Sequence, residues 1–111
     1  MVVAERDAEA EAAARAAHQV WFRSITQLWH EHGDHSIDGL FAWDTAIKDK
    51  SIIFGSPDHV RAEIDRVITE SGCNYVICSF AWGTLSREQS MRSLRLFSTE
   101  VMPAFAKVGE A

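Results

Sequence analysis

His30, His32 and His35, with Glu31 and Asp34 between them, place five potential metal-ligating side chains within six residues. Imidazole pairs at such spacing can hold zinc, but no cysteine or distant histidine completes an established zinc pattern. The sequence alone therefore reads this stretch as a polar helix terminus running into an exposed loop, with no metal expected. Cys73 and Cys78, five residues apart, form neither a redox CxxC nor a zinc pair, and both are expected to be buried thiols. His59 falls in the first turn of a predicted helix, where a histidine is usually a solvated surface group and only occasionally an acid or base. No Ser-His-Asp set, phosphate-binding glycine loop or carboxylate pair is visible, so the residues by themselves indicate no catalytic chemistry and the catalytic residues stay unassigned.

The elements that would position any site are written most clearly after Gly55. Ser56 is placed to cap a helix, Pro57 occupies its first position and Asp58 lies near the positive end of the helix dipole. Val60, Ile64, Val67 and Ile68 recur at helical spacing, and Gly72 is placed to end the helix in a left-handed conformation. Asn74 to Phe80 is a nearly continuous apolar run and is predicted to be a buried parallel strand, with Tyr75 and Ile77 inside. Phe80-Ala81-Trp82-Gly83-Thr84 leaves that strand, and Ser86 with Gln89 forms a capping box for a second helix. Met91, Leu94, Phe97 and Val101 supply its apolar stripe, and Pro103 marks its end.

The N-terminal half predicts a long helix from about Asp7 to His30. Asp7 is read as its cap, Glu9 and Glu11 favour its positive end, and its first half is rich in alanine. Its packing is expected in the second half, where Trp21, Ile25, Leu28 and Trp29 form one stripe. Residues 34 to 50 have no sustained period and read as a loop with a short helical turn around Leu40 and Phe41.

Three strings in this order carry a family resemblance: Gly55-Ser56-Pro57-Asp58, Gly72-Cys73-Asn74-Tyr75, and Leu96-Phe97-Ser98-Thr99-Glu100-Val101-Met102-Pro103. Together they resemble the C-terminal region of the luciferase-like, flavin-dependent monooxygenases. The family pattern has a Gly-Ser/Thr-Pro-Glu/Asp helix start, a Gly-x-x-Asn-Tyr strand entry and a Leu-Phe-x-x-Glu-Val-Met-Pro ending. The middle string is one residue short, since only Cys73 separates Gly72 from Asn74. Val2-Val3-Ala4-Glu5, followed by the alanine-rich stretch, is similar to the family's seventh strand and the helix after it.

The resemblance implies an α/β fold: the C-terminal βαβα portion of a (β/α)8 TIM barrel, a single partial domain over residues 1–111. Such barrels need roughly 250 residues, so the chain is incomplete as an isolated barrel. It further implies a monooxygenase that uses reduced flavin, FMN or the related deazaflavin, and oxygen on a small organic substrate. Most flavin contacts would lie on strands that the chain lacks. Phe80 and Trp82 would then wall a substrate or flavin pocket with Gly83 allowing the close turn; alternatively the aromatics cover the barrel mouth and Gly83 only makes the turn. The alternative function is a non-catalytic remnant or an oligomerising α/β module. Either way a homo-oligomer or a partner carrying the missing barrel portion is expected.

Composition sets outer bounds. A net charge of -5 and a hydrophobic share of 47% point to a globular chain without the basic stripe that nucleic-acid binding requires. No apolar run reaches membrane-spanning length and no signal-peptide pattern opens the chain, so a cytoplasmic location with no membrane partner is expected.

Overall fold

Val2 and Val3 form β1 (Val2–Val3), which pairs in parallel with β2 (Phe54–Gly55), Val2 opposite Phe54 and Val3 opposite Gly55, in a computed structural model that describes residues 1–106. The ladder is closed by Val2 N–H donating to Ile53 O at 3.1 Å and Ala4 N–H donating to Gly55 O at 3.2 Å. Between the strands run α1 (Asp7–Glu31), α2 (Asp38–Phe41) and α3 (Trp43–Asp49); after them come α4 (Pro57–Ser71) and α5 (Arg87–Leu96). A π-helical turn (Phe97–Val101) and a 3₁₀ turn (Met102–Phe105) continue from α5. The described residues are thus mainly helical around a two-stranded parallel sheet, an α/β arrangement. Among them no helix is long and apolar enough to cross a membrane.

Side-chain alternation along β1 divides the core into two layers. Val2 and Ala4 pack with Ala10 and Ala14 of α1, supported by Trp43, Phe54, Trp82 and Leu85. Val3 packs with Val60 and Ile64 of α4 and with Val101, joined by Ile53, Phe80 and Phe97. The alanines let α1 approach the sheet closely: Ala10, Ala14 and Ala17 are fully buried. That reverses the expectation for this helix. Leu28 is 67% exposed, and Ile25 and Trp29 are also exposed, while His18 and Thr26 face inward. Geometry explains it, because a helix of 25 residues is about 37 Å long whereas a two-residue strand covers about 7 Å, so its second half overruns the sheet.

The strand expected at residues 74–80 does not form. The segment has no regular secondary structure and no strand partner among the described residues, with Tyr75 79% and Ile77 84% exposed. The β1 edge facing away from β2 is already satisfied: Val3 N–H donates to Ser93 Oγ at 3.0 Å and Ser93 Oγ donates to Val3 O at 3.1 Å. The α5 helix therefore sits where a third strand would pair, and the segment is tied to β1 through the Met1 amino group and Ser79 O at 2.7 Å.

Residues 34–50 are more helical than their sequence suggests. α3 forms because Trp43 stacks on Phe54 with ring centroids 5.6 Å apart and Ala46 is buried beneath it. Seven residues are too few for a period to register in sequence. The α4 and α5 caps are as expected: Ser56 Oγ accepts from His59 N–H, Gly72 is left-handed at φ 71°, and Ser86 and Gln89 satisfy each other's backbone amides. The long first helix differs in detail, since Arg6 is its cap and Asp7 its first residue. The stripe after Gln89 is shifted. Met91 and Leu94 are exposed and Ser93 is buried, and the wider π turn rotates Val101 into the core. Val67 and Phe97 are half-buried, as are both free cysteines.

Candidate functional site

The three residues singled out by resemblance separate in space and in role. Phe80 packs against Phe97 at 5.2 Å between ring centroids, inside the α4 layer of the core. Gly83 is left-handed at φ 59°, and a Cβ there would lie 2.1 Å from Ala17 O, so it marks a backbone crossing over α1. Trp82 alone borders a cavity.

That cavity has a volume of about 620 Å³ and is walled mainly by His18, Trp21, Phe41, Ile53, Val76 and Trp82. His18 had no part in the sequence-based expectations, yet it is the most distinctive group on the wall. It is 3% exposed, with its ring 5.4 Å from Trp21 and 5.3 Å, edge-on, from Trp43. Burial pushes its imidazole below its ordinary value, against a smaller opposing effect of a hydrogen bond with the Phe41 backbone. The ring is thus held neutral, and its Nε2 is buried without a partner among the described residues. The Trp82 indole Nε1 is likewise a buried donor without a partner. Each such orphan costs about 1–3 kcal/mol, so the wall carries two polar groups whose pairing would be favourable. The signal for His18 was present in the sequence: Ala10, Ala14, Ala17 and His18 fall on one helical face, a lone imidazole in a stripe of small apolar residues.

The cavity suits a small, mainly apolar organic molecule with a polar group. Asp49 is the charged side chain on its wall, and Cys78 is a thiol that burial keeps protonated. Met1, Ile52 and Ile53 place the cavity beside the N-terminal ends of the strands. In a (β/α)8 barrel that is the face that carries stability, and chemistry takes place at the opposite end. At the C-terminal ends, Asp7 Oδ1 accepts the Ser56 N–H at 2.7 Å, and this backbone donor, aided by the Ser56 hydroxyl, holds the Asp7 carboxyl below its usual range. A carboxylate therefore occupies the start of α4, where a phosphate would otherwise be attracted. His59 covers Gly55 there, its Cδ2 2.7 Å from where a Cβ would stand. The residues present do not fit the phosphate of FMN.

No family model, curated protein or solved structure matches this chain.

The His18 environment has a consequence that can be measured. An unfolded chain protonates this residue near 6.5, whereas the folded chain refuses the proton until its lower value is reached. Stability should therefore fall as the pH drops through about 6.5 toward the lower folded value. Asp7, Glu9 and Asp38, whose carboxyls are held low by hydrogen bonds, lose their contributions only below the ordinary carboxylate range. The urea midpoint of the wild-type chain is expected to decline across this window, and His18→Phe should lessen the decline, leaving the part owed to the Met1 amino group, which burial pushes from 8.0 to about 6. Identical slopes for the two proteins would show that the buried imidazole is not the source.

Proposed function

We propose that this chain is the C-terminal portion of a luciferase-like flavin-dependent monooxygenase and works joined to the barrel portion that it lacks. The observation that carries the reading is local. The Gly55-Ser56-Pro57-Asp58 string leaves a parallel strand and starts a capped helix, which ends at a left-handed Gly72, in the order the family pattern requires. The exposed Leu28, Tyr75 and Ile77 fit a piece that is covered by further structure. FMN, or the deazaflavin, supplies the oxygen-activating chemistry when bound. Its phosphate would be held outside this chain, since Asp7 already fills the start of α4. The role left to this chain is to complete the barrel and help exclude water from its C-terminal face, while the cavity bordered by His18 and Trp82 lies at the opposite end and is a separate small-molecule pocket.

A second reading, a non-catalytic α/β module that self-associates, draws on one observation: Ser93 closes the β1 edge where a barrel would continue. The DNA immediately upstream separates the two. An open frame that encodes the missing strands, and a longer chain that binds FMN saturably and couples oxygen consumption to product, would support the monooxygenase. The isolated chain is expected to self-associate in sedimentation and to show neither saturable flavin binding nor turnover. A compact monomer that turns over with flavin would overturn the partial-barrel reading.

A further inference from the structure

The turn between α1 and α2 brings together three side chains that the sequence window of five ligands had only partly included. His30 lies in the last turn of α1, His35 in the connection, and Asp38 at the first position of α2. His30 Nε2 lies 2.6 Å from Asp38 Oδ1, and His35 Nδ1 lies 3.1 Å from Asp38 Oδ2. The two imidazole rings are 4.3 Å apart with 33° between their planes. One potential ligand atom from each residue falls within 4.8 Å of the others. We propose that His30, His35 and Asp38 form a binding site for a divalent transition metal ion, with zinc as the expected occupant.

The donor set is two imidazole nitrogens and one carboxylate oxygen, which is borderline in softness and suits zinc, cobalt, nickel or copper rather than calcium or magnesium. Bonds of about 2.0–2.2 Å in tetrahedral directions separate ligand atoms by about 3.3 Å. The two imidazole–carboxylate spacings, 2.6 and 3.1 Å, are shorter than that and the imidazole nitrogens lie within 4.8 Å of each other, so the side chains need only spread slightly to admit the ion. Without metal, the carboxylate can receive an N–H from both rings. On binding, each ring must give up or move the proton on its carboxylate-facing nitrogen and turn the freed lone pair to the metal.

The scaffold around the three is set in advance. His32, Gly33 and Asp34 turn back on the end of α1 through backbone hydrogen bonds to Trp29 and His30, and Gly33 adopts φ 72°. Asp34 Oδ1 is engaged by Ser36 N–H at 2.8 Å. Phe22 stands edge-on to the His30 ring at 6.4 Å. His35 is 66% exposed in its side chain, which leaves the fourth position to water and gives the ion a path in. A bound ion would pin α2 to α1. Because Leu40 and Phe41 of α2 line the cavity and Phe41 packs edge-on against Trp21 at 5.5 Å, it would also fix one cavity wall.

The test is titration of the whole metal-free chain with zinc chloride in a non-chelating buffer, with cobalt as a spectroscopic substitute. Expected are saturation at one equivalent, a higher thermal unfolding midpoint with zinc, and the visible absorption of tetrahedral cobalt. His35→Ala and Asp38→Asn should each weaken binding by at least the roughly 10- to 100-fold that loss of an outer-shell partner costs. His35 is exposed enough that its loss leaves the fold intact, which near-ultraviolet circular dichroism can verify. His32→Ala, next to the site but outside it, should bind as wild type does. Absence of saturable binding, or a loss in His32→Ala equal to that in His35→Ala, would overturn the site.

Discussion

Gly83→Ala is expected to be the most damaging single-methyl change in this chain, lowering stability by about 3 kcal/mol or more. Two separate penalties add there. The backbone is left-handed at φ 59°, which an L side chain adopts only at a cost, and the new Cβ would stand 2.1 Å from Ala17 O and 2.7 Å from Ala17 C. Those are backbone atoms in the middle of α1, so no flexible side chain can swing away. Relief would require the Trp82 turn to lift from α1, taking Trp82 and Leu85 out of the core they share with Val2 and Ala14. Gly72→Ala is the internal control. Its φ is similar at 71°, but nothing lies within 4 Å of the added carbon, so it should cost only about 1 kcal/mol. Chemical unfolding of both variants separates strain from collision, and equal shifts in the midpoint would mean that the crossing over α1 is looser than the geometry states.

The same pair of glycines illustrates which features were legible before folding. Gly72, Ser56, Pro57, Ser86 and Gln89 act on backbone groups within three or four residues of themselves, so the sequence carried both partners of each interaction. Gly83 was legible as a turn, but its collision partner is Ala17, and nothing local links them. The 74–80 segment fails as a strand for a related reason. Its apolar composition is right, but pairing depends on a free edge, and that edge belongs to β1 and is taken by a residue of α5. In the N-terminal helix, helical periodicity pointed to Trp21, Ile25, Leu28 and Trp29 as the packing stripe, but Ile25, Leu28 and Trp29 are exposed because the sheet lies under the alanine-rich first half instead. His18 carried a local signal as the lone imidazole of an alanine stripe, but its neighbours Phe41 and Trp43 come from other elements, and Asp38 acquires meaning only through His30 and His35. The (β/α)8 architecture is a further step from these elements. Two parallel strands with helices on both faces are common to many α/β arrangements, and the strings that resemble a luciferase-like protein mostly encode caps and turns.

Ser93→Val is expected to cost about 2–4 kcal/mol, despite replacing one small side chain by another of ordinary core type. Ser93 is buried, and its hydroxyl serves both backbone groups of Val3, accepting from the N–H at 3.0 Å and donating to the carbonyl at 3.1 Å. Valine leaves both without a partner in a position that water does not reach, and each orphan carries its own desolvation penalty. Ser93→Thr keeps the hydroxyl and adds a methyl group, so its cost should be the smaller of the two and should reflect crowding alone. The substitution also changes the surface available for pairing. With the serine gone, the outer edge of β1 becomes a free template, which either residues 74–80 of the same chain or a strand from another copy can satisfy. Sedimentation should therefore show stronger concentration-dependent association for Ser93→Val than for Ser93→Thr. If the valine variant is no less stable than the threonine variant and associates no more strongly, the hydroxyl is not what closes the sheet, and the absence of a third strand needs a different physical cause.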